Sequence, residues 1–290
     1  MAGVRVSRLE TDAIDLPITP DGGRARAVLH PAMGARERGL IYLELPPGTA
    51  AAPLRHPMEA VYYVASGQGA VEDLDRGVRT PLGGGRMVYL AAGQGYRLWG
   101  PAVFVGGPCP PDPALLGDLP PPAGEHAPLR GRPTHPTTRR GAAASPSRGE
   151  AAASPIDARS ARSPAAPGVR VLDPQHDGVP MPMIARRSWL VVSPHMGAER
   201  AVMNLVELAA GERNVPHVHD TSEDSLFVLE GTGWAYDLDD GTRLPLAPGC
   251  ALVVPPGVRH IVEAGAQGLR SVGGPVPPDR AMLRAMGIAL

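Results

Sequence analysis

Residues 105–112 read Val-Gly-Gly-Pro-Cys-Pro-Pro-Asp, and residues 272–279 read Val-Gly-Gly-Pro-Val-Pro-Pro-Asp. The echo extends along the chain. Met33-Gly34-Ala35 returns as Met196-Gly197-Ala198, and Tyr63-Val64-Ala65-Ser66-Gly67-Gln68-Gly69 returns as Phe227-Val228-Leu229-Glu230-Gly231-Thr232-Gly233. The offset runs only from 163 residues (Met33 to Met196) to 167 (Val105 to Val272). An offset held that steadily marks one folding unit present twice. Any architecture must therefore explain half of the chain and then the pairing of the halves.

Each half is a series of short apolar runs, among them Gly39–Leu45, Val61–Ala65, Arg86–Leu90, Val202–Leu208, Leu226–Leu229 and Ala251–Val254. Turn residues such as Asp239-Asp240-Gly241 and Pro255-Pro256-Gly257 separate them. Short β-branched and aromatic runs between frequent turns predict an antiparallel sandwich or barrel. Helical periodicity is confined to the stretch after each Pro-Pro-Asp. There Asp279 is expected to cap a short helix through Met286, and Gly287 to end it.

Between the halves, residues from Asp118 to Gly168 are rich in Pro, Ala, Ser, Arg and Gly and almost lack large apolar side chains. Such a composition buries too little surface to offset its ordering entropy, so a mobile, disordered linker is expected there. The expected layout is thus residues 1–117, a linker over 118–168, and residues 169–290. At 290 residues there is length for two cores. The net charge is −1, which gives no basic surface for nucleic acid or anionic membrane. Two cysteines without a C-x-x-C spacing suggest a reduced setting. With no apolar leader at the start and no membrane-length apolar run, a cytoplasmic protein is expected.

The residues that carry chemistry cluster in the second half. Pro216-His217-Val218-His219 is followed by Gly249-Cys250-Ala251-Leu252-Val253-Val254-Pro255-Pro256-Gly257-Val258-Arg259-His260. On a strand, His217 and His219 face the same way. His260, after the intervening turn, can complete a face of three imidazoles. Neutral imidazole nitrogens are preferred ligands of zinc, copper, iron and nickel, and three of them leave positions open for a substrate.

On these residues the second half resembles a cupin domain, and the whole chain a bicupin. The family's first motif, G-x5-H-x-H-x3–4-E-x6-G, maps onto Gly211, His217, His219, an acidic residue and Gly231. Its second, G-x5-P-x-G-x2-H, maps onto Gly249, Pro255, Gly257 and His260; the family's trailing Asn is replaced by Ala264. The resemblance implies an all-β fold of two tandem jelly-roll barrels, and an acidic fourth ligand. Counting back from Gly231 selects Asp224, and counting forward from His219 selects Glu223. Because a one-residue slip turns a strand residue to the opposite face, the count from the glycine is preferred, with Glu223 the second candidate.

Aligned in the same way, the first half has Leu54 for the first histidine, Ala60 for the acid and Tyr96 for the last histidine. Only His56 keeps its place, with Glu59 nearby. One imidazole holds a transition metal poorly, so one divalent metal is expected, in the C-terminal barrel, with Fe or Mn ahead of Zn or Ni. A degenerate first barrel beside an intact second is similar to the ureidoglycine aminohydrolases, whose ligand set has Gln where this chain has His260. Oxalate-decarboxylase-like bicupins usually keep ligands in both halves.

The resemblance implies a metal-dependent enzyme for a small oxygen-rich or carboxylate-bearing molecule, with dioxygenase-like chemistry at a three-histidine, one-carboxylate site. The alternatives are a Mn- or Zn-dependent hydrolase and a non-catalytic binding bicupin. Arg213, Asn214, Trp234 and Tyr236 are expected near the barrel mouth or wall, with Arg213 placed to hold a carboxylate. The expected partners are a small-molecule substrate, with neither nucleic acid nor membrane, and a second copy of the chain packed sheet to sheet.

Overall fold

The structure, a computed structural model, describes residues 3–121 and 168–288. Most of the expected linker therefore lies outside the described residues. The rest folds into two antiparallel sheets of ten and eight strands with the same order. In the first, Met87–Leu90, Glu59–Asp73, Ala102–Cys109, Leu40–Leu45 and Arg24–Leu29 lie side by side. In the second the order is Cys250–Val254, Glu223–Asp237, His260–Val276, Met203–Leu208 and Arg187–Val192. The repeat in the sequence is thus a repeat of strand order.

The strands are longer than the apolar runs. Leu226–Leu229 is one segment of the strand Glu223–Asp237, and the C-terminal strand His260–Val276 runs for 17 residues. Glycines interrupt the apolar pattern without ending the pairing. Register shifts fall between Val228 and Glu230 and between Gly231 and Gly233, where Gly231 has φ 76°. Such bulges bend a strand and let it continue around a barrel.

Both faces of the central strands are apolar, for two different reasons. Ala60, Tyr62 and Val64 point into the first barrel with Leu43, Leu98 and Phe104. Val228, Leu252, Val254 and Val262 fill the second. The alternate residues Val61, Tyr63, Phe227, Ala251, Val253 and Val272 form a third core between the barrels. A period of two, with both faces covered, gives the near-continuous runs seen in the sequence. One face of each central sheet is thus buried against the other barrel.

Two reciprocal contacts lock the barrels. The Glu59 carboxylate accepts the backbone N–H groups of Glu199, Arg200 and Ala201 at 2.7–2.8 Å and the Tyr89 hydroxyl at 2.6 Å. Its counterpart Glu223 accepts those of Arg36 and Glu37 at 2.9–3.1 Å. Each carboxylate thus reaches the loop that follows a 3-10 turn of the other barrel, Pro31–Met33 or Pro194–Met196. Glu37 and Arg200 meet between these loops at 2.6 Å.

The barrels also exchange edge strands. Arg5–Arg8 pairs with Cys250–Val254 of the second sheet, and Val169–Leu172 pairs with Met87–Leu90 of the first. The first strand of the chain therefore belongs by pairing to the second barrel. Covering an edge strand removes a row of open backbone donors and acceptors.

Both Pro-Pro-Asp segments lead into short helices, Pro113–Leu116 and Arg280–Ala285. Asp279 accepts from the N–H groups of Ala281 and Met282, the last turn closes at Met286, and Gly287 follows with φ 73°. No helix among the described residues is long and apolar enough to cross a membrane. Both cysteines are buried and free.

Candidate metal centre

His217 and His260 are held together by their own backbones. The N–H of each donates to the carbonyl of the other, at 3.2 and 2.9 Å. Gly257, at φ 81°, turns the chain so that its N–H donates to the His219 carbonyl at 2.8 Å. A residue with a Cβ is strained at that φ, which accounts for the glycine between Pro255 and His260. The two halves of the motif, about forty residues apart in the chain, are thus stitched side by side.

The imidazoles converge. Ring centroids lie 4.3 Å apart for His217 and His260, 5.1 Å for His217 and His219, and 5.8 Å for His219 and His260. Asp224 joins them, with Oδ2 at 3.3 Å from His260 Nε2 and 4.0 Å from His219 Nε2. One ligand atom from each of the four lies within 4.8 Å of the others. Donors about 2.1 Å from a common ion stand roughly 3–4 Å apart, so small side-chain rotations bring this set to coordination distance. Three nitrogens and one carboxylate oxygen fit a divalent transition metal.

The tautomers fit as well. His217 Nδ1 donates to the Val215 carbonyl at 2.8 Å, and His260 Nδ1 to the Val258 carbonyl at 3.0 Å. His219 Nδ1 lies 2.6 Å from Asp279 Oδ2. The Val215 and Val258 carbonyls and the Asp279 carboxylate only accept, so each Nδ1 carries a proton. Nε2 of His217 is then a lone pair facing the centre, while Nε2 of His260 stands 3.3 Å from Asp224 Oδ2, a bond that a metal would replace. Burial, seconded by His260, pushes His217 down to about 4. Burial works against the Asp224 charge, but the His260 hydrogen bond and the nearby imidazoles outweigh it and hold the carboxyl at about 2. At neutral pH the site offers a bare imidazole and a carboxylate, the states a metal requires.

The second acidic candidate stands elsewhere. Glu223 lies on the opposite face of the strand, with Ser225 and Phe227, where it binds the N–H groups of Arg36 and Glu37. Strand parity separates the neighbours: Asp224 faces the histidines and Glu223 faces the other barrel. Parity also removes two expected substrate contacts. Ala235 is buried in the barrel, so Trp234 and Tyr236 point outward, where Arg243 stacks 3.5 Å over the Trp234 ring. Arg213 is exposed and bridges through its backbone to Glu263. Asn214 does line the cavity, and its Oδ1 accepts the Val262 N–H at 2.8 Å.

That cavity, about 40 Å³, is walled by Ile184, Val206, Leu208, Leu226, Val262 and Met282 around the four candidate ligands. Its other polar side chains are Asn204, Asn214 and Ser271. Asp279 escaped the sequence reading as a site residue. The repeated Pro-Pro-Asp was its signal, but a helix cap explained the aspartate fully. In fact one carboxylate oxygen caps the helix while the other holds His219.

The first barrel shows what replaces the cluster. His56 Nδ1 lies 2.6 Å from Asp112 Oδ2, repeating the His219–Asp279 pair. Its Nε2 lies 2.9 Å from the Tyr96 hydroxyl, which is 3.0 Å from that of Tyr62. Burial raises both phenols, Tyr62 to about 12, so both are neutral. Asp112, His56, Tyr96 and Tyr62 are thus joined in one buried hydrogen-bonded run.

Comparison with known proteins agrees with this layout. The Cupin domain family matches twice, over residues 41–102 and 204–268. None of the curated proteins matches. Among solved structures, the chain is similar to Bacillus subtilis oxalate decarboxylase in work on its Mn(II) centres. The TM-score is 0.65 at 14% identity, covering 97% of this chain and 78% of that one. The same enzyme at pH 4.6 gives a TM-score of 0.63 at 14% identity, over 96% and 76% of the two chains. At that identity the likeness is one of fold. With the Cupin domain family matched once in each half and the strand order repeated, the chain is a bicupin, a member of the cupin superfamily with two cupin domains in tandem.

Proposed function

We propose that the second barrel holds one divalent transition metal through His217, His219, His260 and Asp224. On this reading the protein is a metal-dependent enzyme for a small oxygen-rich or carboxylate-bearing molecule. Fe or Mn suits three imidazoles and a carboxylate, and Zn and Ni are also accommodated. The Mn(II) centres of the similarly folded oxalate decarboxylase are in keeping with Mn. The observation that carries the reading is the convergence of four ligand atoms within 4.8 Å, with each Nδ1 tied off behind them.

When bound, the metal supplies an open position for an oxygen atom of the substrate. The protein's own residues do the rest. Asp279, Val215 and Val258 fix the imidazole planes. Ile184, Leu226, Val262 and Met282 keep water from the reacting centre, and Asn214 presents an amide at the cavity wall.

Oxidative chemistry, dioxygenase-like in type, is favoured over hydrolysis by the cavity wall. Hydrolysis calls for a general acid or base besides the ligands. Among the described residues lining the cavity, the titratable groups are the four ligands themselves. Metal analysis of protein purified without added metal, with oxygen uptake measured over a panel of small hydroxy and keto acids, tests the reading. Iron or manganese with oxygen consumed supports it. Zinc with turnover and no oxygen uptake favours the hydrolase. If His217→Ala loses the metal and spares the cellular role, a non-catalytic binding bicupin is indicated.

A further inference from the structure

Apart from the four candidate ligands, the wall of the metal cavity carries no charged side chain among the described residues. Its four ligand residues include one carboxylate, Asp224, and the remaining polar residues, Asn204, Asn214 and Ser271, are uncharged. A second carboxylate, Asp279, lies directly behind His219 and also caps a helix. No arginine lines the cavity among the described residues, and the sequence contains no lysine. Arg213 is exposed outside it. With a divalent cation in place, the centre therefore has a net charge of at most +1, and nothing else in the wall can neutralise an anion.

We infer that this site selects a singly charged, oxygen-chelating ligand with a short apolar remainder, and discriminates against small dianions such as oxalate. The inference rests on the metal-binding reading. A monoanion leaves the centre close to neutral, whereas a dianion places an uncompensated negative charge among Leu226, Val262 and Met282. An unpaired charge in such surroundings is strongly disfavoured. Size points the same way. A water-sized probe needs roughly 10–15 Å³, so a cavity of about 40 Å³ shared with an ion takes a few atoms only. The rest of the ligand must extend to the mouth. Val215 and Val218, close to His217 in the chain, and Met183, next to the wall residue Ile184, are exposed. Exposed apolar side chains suit an apolar remainder.

The test uses the full chain loaded with Co(II), whose visible absorption reports its ligands. Acetohydroxamate, a monoanionic oxygen chelator, and oxalate, a dianionic one, are titrated separately. Each affinity is normalised to that for aqueous Co(II). The expected result is at least a tenfold preference for acetohydroxamate, with Ile184→Arg reducing or reversing it by favouring oxalate. Equal or tighter normalised binding of oxalate to the unaltered protein overturns the charge inference and leaves the metal site standing. Failure of Co(II) to bind, or Co(II) retained unchanged in His217→Ala, overturns both.

Discussion

Asp279 Oδ2 lies 2.6 Å from His219 Nδ1 while Asp279 Oδ1 accepts the N–H groups of Ala281 and Met282. One side chain therefore sets a candidate ligand and anchors the helix whose Met282 forms part of the cavity wall. Removing a partner behind a metal-bound imidazole typically costs 10–100-fold in affinity. Asp279→Asn is expected to weaken metal binding by about that factor while preserving most of the cap. Asp279→Ala should add a loss of about 1 kcal/mol in stability. Metal titration and urea denaturation on the same samples separate the two effects.

Asp224 and Glu223 are adjacent in sequence and opposed in role. Asp224→Ala should lower metal content sharply and leave the joint between the barrels intact. Glu223→Ala should keep the metal and lower stability by about 1–3 kcal/mol, because the N–H groups of Arg36 and Glu37 lose their acceptor. Metal content and melting temperature of the two variants should thus move in opposite patterns. The reverse assignment would show Glu223→Ala losing metal.

Acid should destabilise the metal-free protein in two steps. His217 is pushed down to about 4 in the fold, so as pH falls through 6.5 the unfolded chain takes up a proton that the native state refuses until about pH 4. Over that window stability falls, by up to about 3 kcal/mol for a shift of this size. Asp224, held at about 2, adds a further loss as pH falls below the ordinary carboxylate range. His260, whose pKa is raised by Asp224 against the effect of burial, works the other way and offsets part of the first step. Denaturation midpoints measured between pH 7 and 4 check the sign. His217→Gln should flatten the first step.

In the first barrel, buried hydrogen bonds join Asp112, His56, Tyr96 and Tyr62 in a single run. Tyr96→Phe opens it and strands two buried polar groups, for an expected loss of about 1–3 kcal/mol. Metal content should stay unchanged, since the candidate ligands lie in the other barrel. A fall in bound metal would show that the first barrel takes part in metal binding.

The fold and the centre of the site were legible in the sequence because both rest on short-range rules. The repeat reported the shared strand order, and the spacing of His217, His219 and His260 reported the convergence of their rings. The count back from Gly231 selects Asp224, the carboxylate that stands beside the histidines, while Glu223 faces the other barrel. Strand parity, applied from Ala235, would have turned Trp234 and Tyr236 outward, but the bulge after Gly231 hides the register. Asp279 and the Glu59 and Glu223 locks depend on contacts between distant segments, where the sequence shows only a capping residue and two ordinary acids.

Because Arg5–Arg8 completes the sheet of the second barrel and Val169–Leu172 that of the first, the two halves are interlaced like clasped hands. Severing the chain between them should yield fragments that associate on mixing and restore each other's margins. Either fragment alone would present a bare β-edge to solvent and tend to self-associate.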